Sequence, residues 1–356
     1  MPREDEFKAF GDLAQEPSEA SAAPRRFTVE ELVACDECAR ANAPTRMNCL
    51  YCGARLPVTE QNAALRRPVL KKLEEWERGF NVVMLPRARA ELSPEEIAEA
   101  ASLLRLDASR LTEMIESRRA LPLARTSSTE EVELVSKRLG ALGLAVEVFA
   151  DEVLSKQPAR VRALALDDDA LVCHAGPDAE PRRIRWSEIA LFVTGRIVTK
   201  RVEVAERQAR LSSRSSMVES RELATDEAVL DIYTTNETED RADDREDGFR
   251  VMADGFDYSC LGASKRLLAR DNFNALVETL RAHAAHAAFD EEYARLRGLL
   301  SSAWPPSEHT GSLGLRRERV GRYNTEAVTT VSNETQFTRY ARLRWVLALR
   351  GRTKDS

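Results

Sequence analysis

The 356-residue chain has few of the side chains on which enzyme catalysis usually depends. It contains four histidines, and 6% of its residues are aromatic. No His-Glu-x-x-His, Gly-x-Ser-x-Gly, phosphate-binding-loop or Rossmann glycine motif occurs. His283 and His286 lie one helical turn apart, but no third metal ligand stands at a useful spacing, so a solvated helix face is the favoured interpretation. The sequence therefore predicts a protein that is not an enzyme.

The chain also lacks long hydrophobic runs. No stretch approaches the roughly 18 consecutive apolar residues that a membrane-spanning helix needs, and residues 1–6 lack the apolar run of a secretory signal. The composition, 43% hydrophobic and 31% charged, is typical of compact modules joined by solvated segments. We therefore expect a cytoplasmic protein without a transmembrane segment.

Charge is distributed unevenly along the chain. The net charge is −6, yet residues 311–356 carry ten Lys or Arg against four Asp or Glu. Within this basic segment, an amphipathic stretch from Gln336 to Arg350 interleaves arginines with Phe337, Tyr340 and Leu343. Such a stripe could meet anionic lipid or nucleic acid. The favoured prediction is a terminal helix packed on an acidic body.

Four of the six cysteines form two Cys-x-x-Cys pairs. Cys35 and Cys38 are followed, after ten residues, by Cys49 and Cys52. Two tight turns that each present two thiolates suit one tetrahedral zinc ion, and in a reducing compartment this pattern indicates metal binding rather than disulfides. No histidine occurs in the first 170 residues. The predicted ligands are therefore these four cysteines around one structural zinc ion, in a closed site without the open position that catalysis requires.

The cysteine segment resembles the short zinc ribbons of bacterial proteins, in which Cys-x-x-Cys-Gly-x-x-Asn precedes a second Cys-x-x-Cys-Gly. Asn42 falls on the Asn of that pattern and Gly53 on its second Gly, whereas Ala39 stands at the first Gly. The spacing is also similar to that of eukaryotic RNA- or ubiquitin-binding fingers, but Val33 occupies the position of their tryptophan. Acidic residues outnumber arginines here, so we expect protein contact or a structural role rather than phosphate binding.

Residues 79–150 carry clear signals of helices and strands. A short strand is predicted at 81–85 and another at 145–149. Between them, capping motifs at Ser93 and Ser128 and a capping Asp107 open three amphipathic helices.

The order strand, helix, helix, helix, strand, with the phrase Leu-Gly-Ala-Leu-Gly-Leu at 139–144, resembles the C-terminal domain of the bacterial ribosomal stalk protein. The resemblance implies a small α/β sandwich, which in that family recruits translational GTPases through a lysine-rich helical face. Here the corresponding stretch, 104–108, reads Leu-Arg-Leu-Asp-Ala, and the preceding helix carries Glu95, Glu96 and Glu99. We therefore expect the fold to serve as a protein-binding scaffold without the GTPase-factor surface.

Residues 158–285 alternate short strands with polar turns, and a helix with an apolar stripe closes the segment. The run Asp167-Asp168-Asp169 is typical of a hairpin turn. The segment resembles a pleckstrin-homology-like (PH-like) barrel, and Ile184-x-Trp186-Ser187-Glu188-Ile189 is similar to a strand phrase of its bacterial members. A Ser- and Arg-rich stretch near 205–222 and an acidic stretch at 236–247 are predicted to be solvated loops.

Together these patterns predict a multidomain α+β chain with a short connecting helix at 69–80. Its predicted parts are a disordered lead (1–27), a four-cysteine zinc ribbon (29–57), a stalk-protein-like α/β sandwich (79–150), a small antiparallel β-barrel closed by a C-terminal helix (158–285), and a helix, linker and basic amphipathic tail (286–356). The predicted function is a non-enzymatic adaptor or scaffold for protein partners in a bacterial cytoplasm. The alternatives are a ribosome- or RNA-associated factor and, after it, a membrane-surface-associated sensor.

Overall fold

The computed structural model describes residues 27–63, 65–66, 68, 70–71, 73–86, 92–176, 179–208, 215–235, 247–319 and 322–354. These residues form a mixed α+β structure with several sheets. The chain divides into two compact units, residues 1–66 and 67–356. The disordered lead predicted at 1–27 lies, except for Phe27, outside the described residues.

The first unit is built on a small antiparallel ribbon. Strand β1 (Val33–Ala34) pairs with β2 (Ala41–Asn42), and a one-turn helix, α1 (Glu60–Ala63), follows. The buried Arg66 guanidinium donates hydrogen bonds to the carbonyls of Pro44 (3.0 Å) and Leu56 (3.3 Å). These bonds tie the end of the first unit to the loops of the ribbon.

The second unit begins with a three-stranded antiparallel sheet in the order β4-β3-β5. Its strands are β3 (Phe80–Met84), β4 (Leu121–Thr126) and β5 (Val146–Ala150), and its helices are α2 (Pro94–Leu104), α3 (Ala108–Glu116), α4 (Thr129–Ala141) and the short α5 (Asp151–Leu154). The Ser93 capping box forms as expected, because the Ser93 hydroxyl accepts from the backbone of Glu96 and the Glu96 carboxylate accepts in return. The first and last predicted strands, now β3 and β5, and the three predicted helices are therefore present.

Two local predictions in this region are wrong. Strand β4 was not expected; its Pro122 pairs with Val83 of β3, next to a bulge at which Leu123 of β4 has no partner in β3. Proline lacks the N–H of a regular ladder, so the segment does not read as a strand. The helix predicted at 69–80 is absent from the described residues 70–71 and 73–79, where the Glu77 carboxylate instead accepts from the Glu74 N–H and closes a turn.

The remainder of the second unit contains two more sheets and three more helices. The strands are β6 (Ala159–Val161), β7 (Ala163–Leu166), β8 (Ala170–His174), β9 (Arg182–Arg185), β10 (Ile189–Gln208), β11 (Ser215–Thr234), β12 (Gly248–Met252), β13 (Ala288–Asp290), β14 (Ser307–Arg319) and β15 (Arg322–Ser332). The helices are α6 (Ala269–His283), α7 (Tyr293–Leu300) and α8 (Glu334–Lys354). Strands β7, β8 and β9 form one sheet, whereas the other runs β14-β15-β10-β11-β12-β6, with β13 parallel to β10.

The larger sheet separates two hydrophobic cores. Successive side chains of a strand point to opposite faces of the sheet, so consecutive residues of β10 contribute to the two cores in turn. Phe192 belongs to the core formed with α6 and the β7-β8-β9 sheet, whereas Leu191 and Val193 belong to the core formed with α7, α8 and the β3 to β5 region. Segments 79–150 and 286–356 therefore share one core.

Residues 205–208 and 215–222, which were expected in a loop, belong to strands β10 and β11. Strand β15 pairs with β10 from Thr199 to Gln208, and β14 pairs with β15, although this part of 286–356 was expected to be a linker. These stretches lack a clean alternation of apolar and polar residues, so the sequence alone does not indicate a strand. Residues 199–208 of β10 find their partner strand β15 more than a hundred residues away, whereas residues 215–222 of β11 pair with the neighbouring β10.

Candidate metal centre

The four predicted cysteines come together in the first unit. The Sγ atoms of Cys35, Cys38, Cys49 and Cys52 all lie within 4.8 Å of one another. The Cys35–Cys52 and Cys38–Cys49 sulfur pairs are each 3.6 Å apart. Four thiolates at about 2.3 Å from a tetrahedral zinc ion would be about 3.8 Å apart, so the arrangement fits such an ion closely. The four cysteines are positioned to hold one metal ion.

Each cysteine pair sits on the same kind of turn. In the first turn the Cys35 carbonyl accepts from the Ala39 N–H (2.8 Å), and in the second the Cys49 carbonyl accepts from the Gly53 N–H (3.1 Å). Ala39 and Gly53 both have left-handed backbones, with φ of 57° and 73°. Ala39 thus adopts the left-handed backbone conformation of the ribbon pattern's first glycine. Because alanine carries a Cβ, this conformation costs about 1 kcal/mol of folding free energy.

Asn42 connects the two turns. Its side chain is buried, and its amide nitrogen donates to the Arg40 carbonyl (2.8 Å) and to the Cys49 sulfur (3.4 Å). Its amide oxygen accepts from the Leu50 N–H (2.8 Å). A buried side-chain amide that satisfies groups on both turns explains in physical terms why asparagine suits this position.

The protein environment shifts the pKa values of two of the thiols in opposite directions. Burial disfavours the Cys49 thiolate, but N–H groups of Cys52 and Tyr51 and the Asn42 amide stabilise it and lower the pKa of Cys49 to about 6. At Cys52 the Ala54 N–H favours the thiolate, yet burial and the three neighbouring sulfurs outweigh it and raise the pKa of Cys52 to about 12. Close thiolates repel one another, and a divalent cation offsets that repulsion.

All four ligand positions of a tetrahedral ion are occupied by protein sulfur in this geometry. A metal held in this way stabilises the fold and leaves no position for a substrate. The chemistry near the centre lies on its surface instead. Leu50 and Tyr51, between Cys49 and Cys52, are 63% and 54% exposed, and the Arg40 guanidinium lies 4.8 Å from the centroid of the Tyr51 ring.

The other sequence candidates have structural explanations. His283 stacks on Trp186 with ring centroids 4.6 Å apart. The Asp167 to Asp169 run forms the predicted hairpin turn, closed by the Asp167 N–H donating to the Ala170 carbonyl (2.9 Å), and Arg183 pairs with two of its carboxylates. Within the ranges given above, the four-cysteine group is the one cluster of three or more Cys, His, Asp or Glu that could hold a metal.

The basic C-terminal stripe lies inside the second unit. Phe337, Tyr340 and Leu343 of α8 are buried, and Gly195 permits this packing because a Cβ there would lie 2.5 Å from the Phe337 ring. The arginines of the stripe pair with acidic residues of the body: Arg342 with Asp247 (3.0 Å) and Arg344 with Asp290 (2.7 Å). The favoured prediction of a terminal helix packed on an acidic body is confirmed.

No protein-family model matches the chain, and no curated protein or solved structure is significantly similar to it. Among the described helices, none has the length and apolar character needed to span a membrane. The class that the site itself defines is a protein with a four-cysteine, zinc-ribbon-like centre.

Proposed function

We propose that the chain is a non-enzymatic zinc-ribbon adaptor that brings protein partners together. The observation that carries this proposal is the closed four-cysteine centre with an exposed apolar pair, Leu50 and Tyr51, on its second turn. A closed site has no open coordination position, so its contribution is to hold a surface in shape. Exposed aromatic and aliphatic side chains on a rigid turn are typical anchors of protein interfaces.

The second unit offers an apolar surface of its own. Leu267 and Leu268 are 97% and 56% exposed at the start of α6. The loop that presents them is fixed, because buried Asn272 accepts from the Arg266 N–H (2.6 Å) and donates to the Arg266 carbonyl (2.9 Å). One exposed apolar pair on each unit supports a function in which each unit contacts a partner.

The metal in this proposal is one structural zinc ion. Zinc has no preferred geometry of its own and accepts four thiolates in a tetrahedral arrangement, which suits the sulfur spacing. The proposal also includes the two finer domain assignments. The sheet β4-β3-β5 with its three helices supports a stalk-protein-like scaffold, and the strands β7 to β12 with α6 support a PH-like module.

The alternatives are weaker in the light of the same contacts. A ribosome- or RNA-associated factor and a membrane-surface-associated sensor both relied on the basic stripe at 336–350. The apolar members of that stripe are buried, and its arginines Arg342 and Arg344 pair with aspartates. Neither alternative therefore has a described surface that favours it.

The test is affinity purification of the full-length chain from native cells, with metal analysis of the same eluate. We expect one zinc per chain and a discrete non-ribosomal partner. The double variants Leu50→Ser/Tyr51→Ser and Leu267→Ser/Leu268→Ser each should reduce recovery of a partner, whereas Leu223→Ser, a partly exposed leucine of β11, should not. Salt-sensitive cosedimentation with ribosomes, or turnover of a substrate, would overturn the adaptor proposal.

A further inference from the structure

An open cavity of about 400 Å³ lies in the second unit, between the turn at 73–79, the end of β5 with α5, and helix α8. This volume falls in the range of small-molecule sites. The buried Arg339 lines it, together with Arg125, Asp151 and Ser155, while Trp76 is 81% exposed at its mouth. No sequence motif pointed to these residues, because they come from four separate segments.

Arg339 is a buried cation with weak partners. The residue is 6% exposed. Its Nε donates to the Ser155 hydroxyl at 3.4 Å, and its nearest carboxylate oxygen, on Asp151, is 3.8 Å from Nη2. Among the described residues, neither terminal nitrogen of this guanidinium has a hydrogen-bond acceptor. A buried guanidinium is normally fully hydrogen-bonded, so this one is incomplete.

Asp151 cannot complete the hydrogen bonds of Arg339, because its carboxylate oxygens already accept from other donors. They accept from Arg125 Nε (2.9 Å) and Nη2 (2.7 Å), from the Gly79 N–H (2.8 Å) and from the Asn81 amide (2.9 Å). Two buried guanidiniums therefore face one carboxylate. Asp151 lies 2.7 Å from Arg125 but 3.8 Å from Arg339, so its charge compensates Arg339 less closely.

The acidic residues at the rim are also engaged. Glu75 lies 2.8 Å from His309 and accepts from Thr335 (2.7 Å). Glu77 pairs with Lys71 at 3.0 Å, and Glu152 pairs with Arg78 at 3.3 Å. None of these carboxylates forms an ion pair with Arg339, so the cavity contains one buried guanidinium with incomplete hydrogen bonds below a rim of paired acidic and basic residues.

Arg250 shows what a completed buried arginine looks like in this chain. Its Nε and Nη2 donate to the two oxygens of Asp231 at 2.7 and 2.8 Å, and Nη2 also donates to Thr338 at 3.0 Å. Burial disfavours the Arg250 cation, but Asp231 outweighs this and the pKa of Arg250 is raised. At Arg339, burial and then the nearby Arg125 charge lower the pKa. Both arginines are buried, and they differ in their partners.

We propose that this cavity binds a small organic carboxylate, whose oxygens complete the hydrogen bonds of Arg339. A planar carboxylate matches the two parallel N–H groups of a guanidinium. A single negative charge matches the site, because one guanidinium, that of Arg339, has incomplete hydrogen bonds there, whereas the acidic residues of the rim already pair with cations. Trp76 stands where it contacts the body of the ligand. None of the residues that line this cavity belongs to the cysteine cluster or to the exposed apolar pairs of the adaptor proposal.

The test is a titration of the full-length, zinc-loaded chain with benzoate, acetate and inorganic phosphate. Fluorescence reports binding at Trp76, because the other three tryptophans are buried, and calorimetry provides a second readout. We expect saturable binding of benzoate, weaker binding of acetate, and still weaker binding of phosphate. Arg339→Gln should reduce benzoate affinity at least tenfold, with Arg339→Lys between it and the wild type.

Two controls keep the result decisive. Lys200→Gln changes an exposed residue of strand β10 that does not line the cavity, and it should bind benzoate as the wild type does. Circular dichroism establishes that each variant is folded. Trp76→Phe, which leaves Arg339 in place, should abolish the fluorescence change and lower the calorimetric affinity for benzoate by less than Arg339→Gln does. Absence of saturable benzoate binding to the wild type, equal binding by folded Arg339→Gln, or tighter binding of phosphate than of benzoate would overturn the proposal.

Discussion

The two units of this chain are stabilised in different ways. The first has a buried hydrophobic cluster of three residues, Cys35, Cys49 and Leu56, and two of them belong to the cysteine group that is positioned to hold a metal ion. The second has two large cores and a set of buried ion pairs. A segment this small cannot bury enough apolar surface to fold alone, so a metal must supply the missing stability. The difference shows that a short segment depends on a few ligands, whereas a long one depends on packing.

The largest expected effect is unfolding of the first unit without any loss of stability in the second. Cys49→Ser, or removal of the metal with a chelator, should unfold the first unit, because structural zinc contributes about 10–16 kcal/mol to the folding of such modules. The melting temperature of the second unit should stay unchanged. Calorimetry and limited proteolysis measure both, and Cys260→Ser, which changes a cysteine outside the cluster, is the control. A matching loss of stability in the second unit would contradict the comparison.

The next effect should fall on the second unit alone. Asp231→Asn leaves the buried Arg250 charge without its carboxylate and should cost about 3–5 kcal/mol of unfolding free energy. Asp226→Asn is the matched control, because it breaks the exposed pair with Arg196 and should cost about 0–1 kcal/mol.

Urea denaturation followed by circular dichroism measures these two unfolding free energies. Metal content should be the same in both aspartate variants and in the wild type. Equal costs for the buried and exposed pairs would show that burial is not what distinguishes them.

A smaller effect tests the connection between the two cysteine turns. Asn42→Ala removes three hydrogen bonds to Arg40, Cys49 and Leu50, and should weaken metal affinity about 10–100-fold. Competition with a chelator of known affinity measures the change. Asn48→Ala, in the same unit but on an exposed bridge with Arg55, should leave affinity close to that of the wild type. Unchanged metal affinity in Asn42→Ala would show that the Asn42 hydrogen bonds do not stabilise the metal-bound form.

The smallest effect concerns the two left-handed residues. Ala39→Gly should stabilise the first unit by about 1 kcal/mol, because glycine adopts a positive φ without a Cβ clash. Gly53→Ala should destabilise it by a similar amount, since a Cβ there meets no atom within 4 Å and only the backbone conformation is affected. The expected changes in metal affinity are about fivefold in opposite directions. Changes of the same sign would show that the turns are not equivalent.

Much of the local structure followed from short patterns. The capping motifs at Ser93 and Ser128 located two helices, and the cysteine spacing located the metal centre. Such signals are local because the interacting groups lie within a turn of one another. Strand β4 escaped detection because Pro122 interrupts its pattern, and the ends of β10 and β11 escaped because polar residues form a strand only when a partner strand is supplied.

The sequence by itself determined the four-cysteine cluster, since two Cys-x-x-Cys turns each bring two sulfurs together through contacts within the turn. Only the tertiary structure decided the role of the basic C-terminal segment, which sequence left open between a binding surface and a packed helix. Two of its arginines, Arg342 and Arg344, form ion pairs with Asp247 and Asp290. A third, Arg339, lines a cavity and lies 3.8 Å from its nearest carboxylate, on Asp151. Whether a charge is exposed, paired or incomplete depends on groups that are distant in sequence, and only folding brings them together.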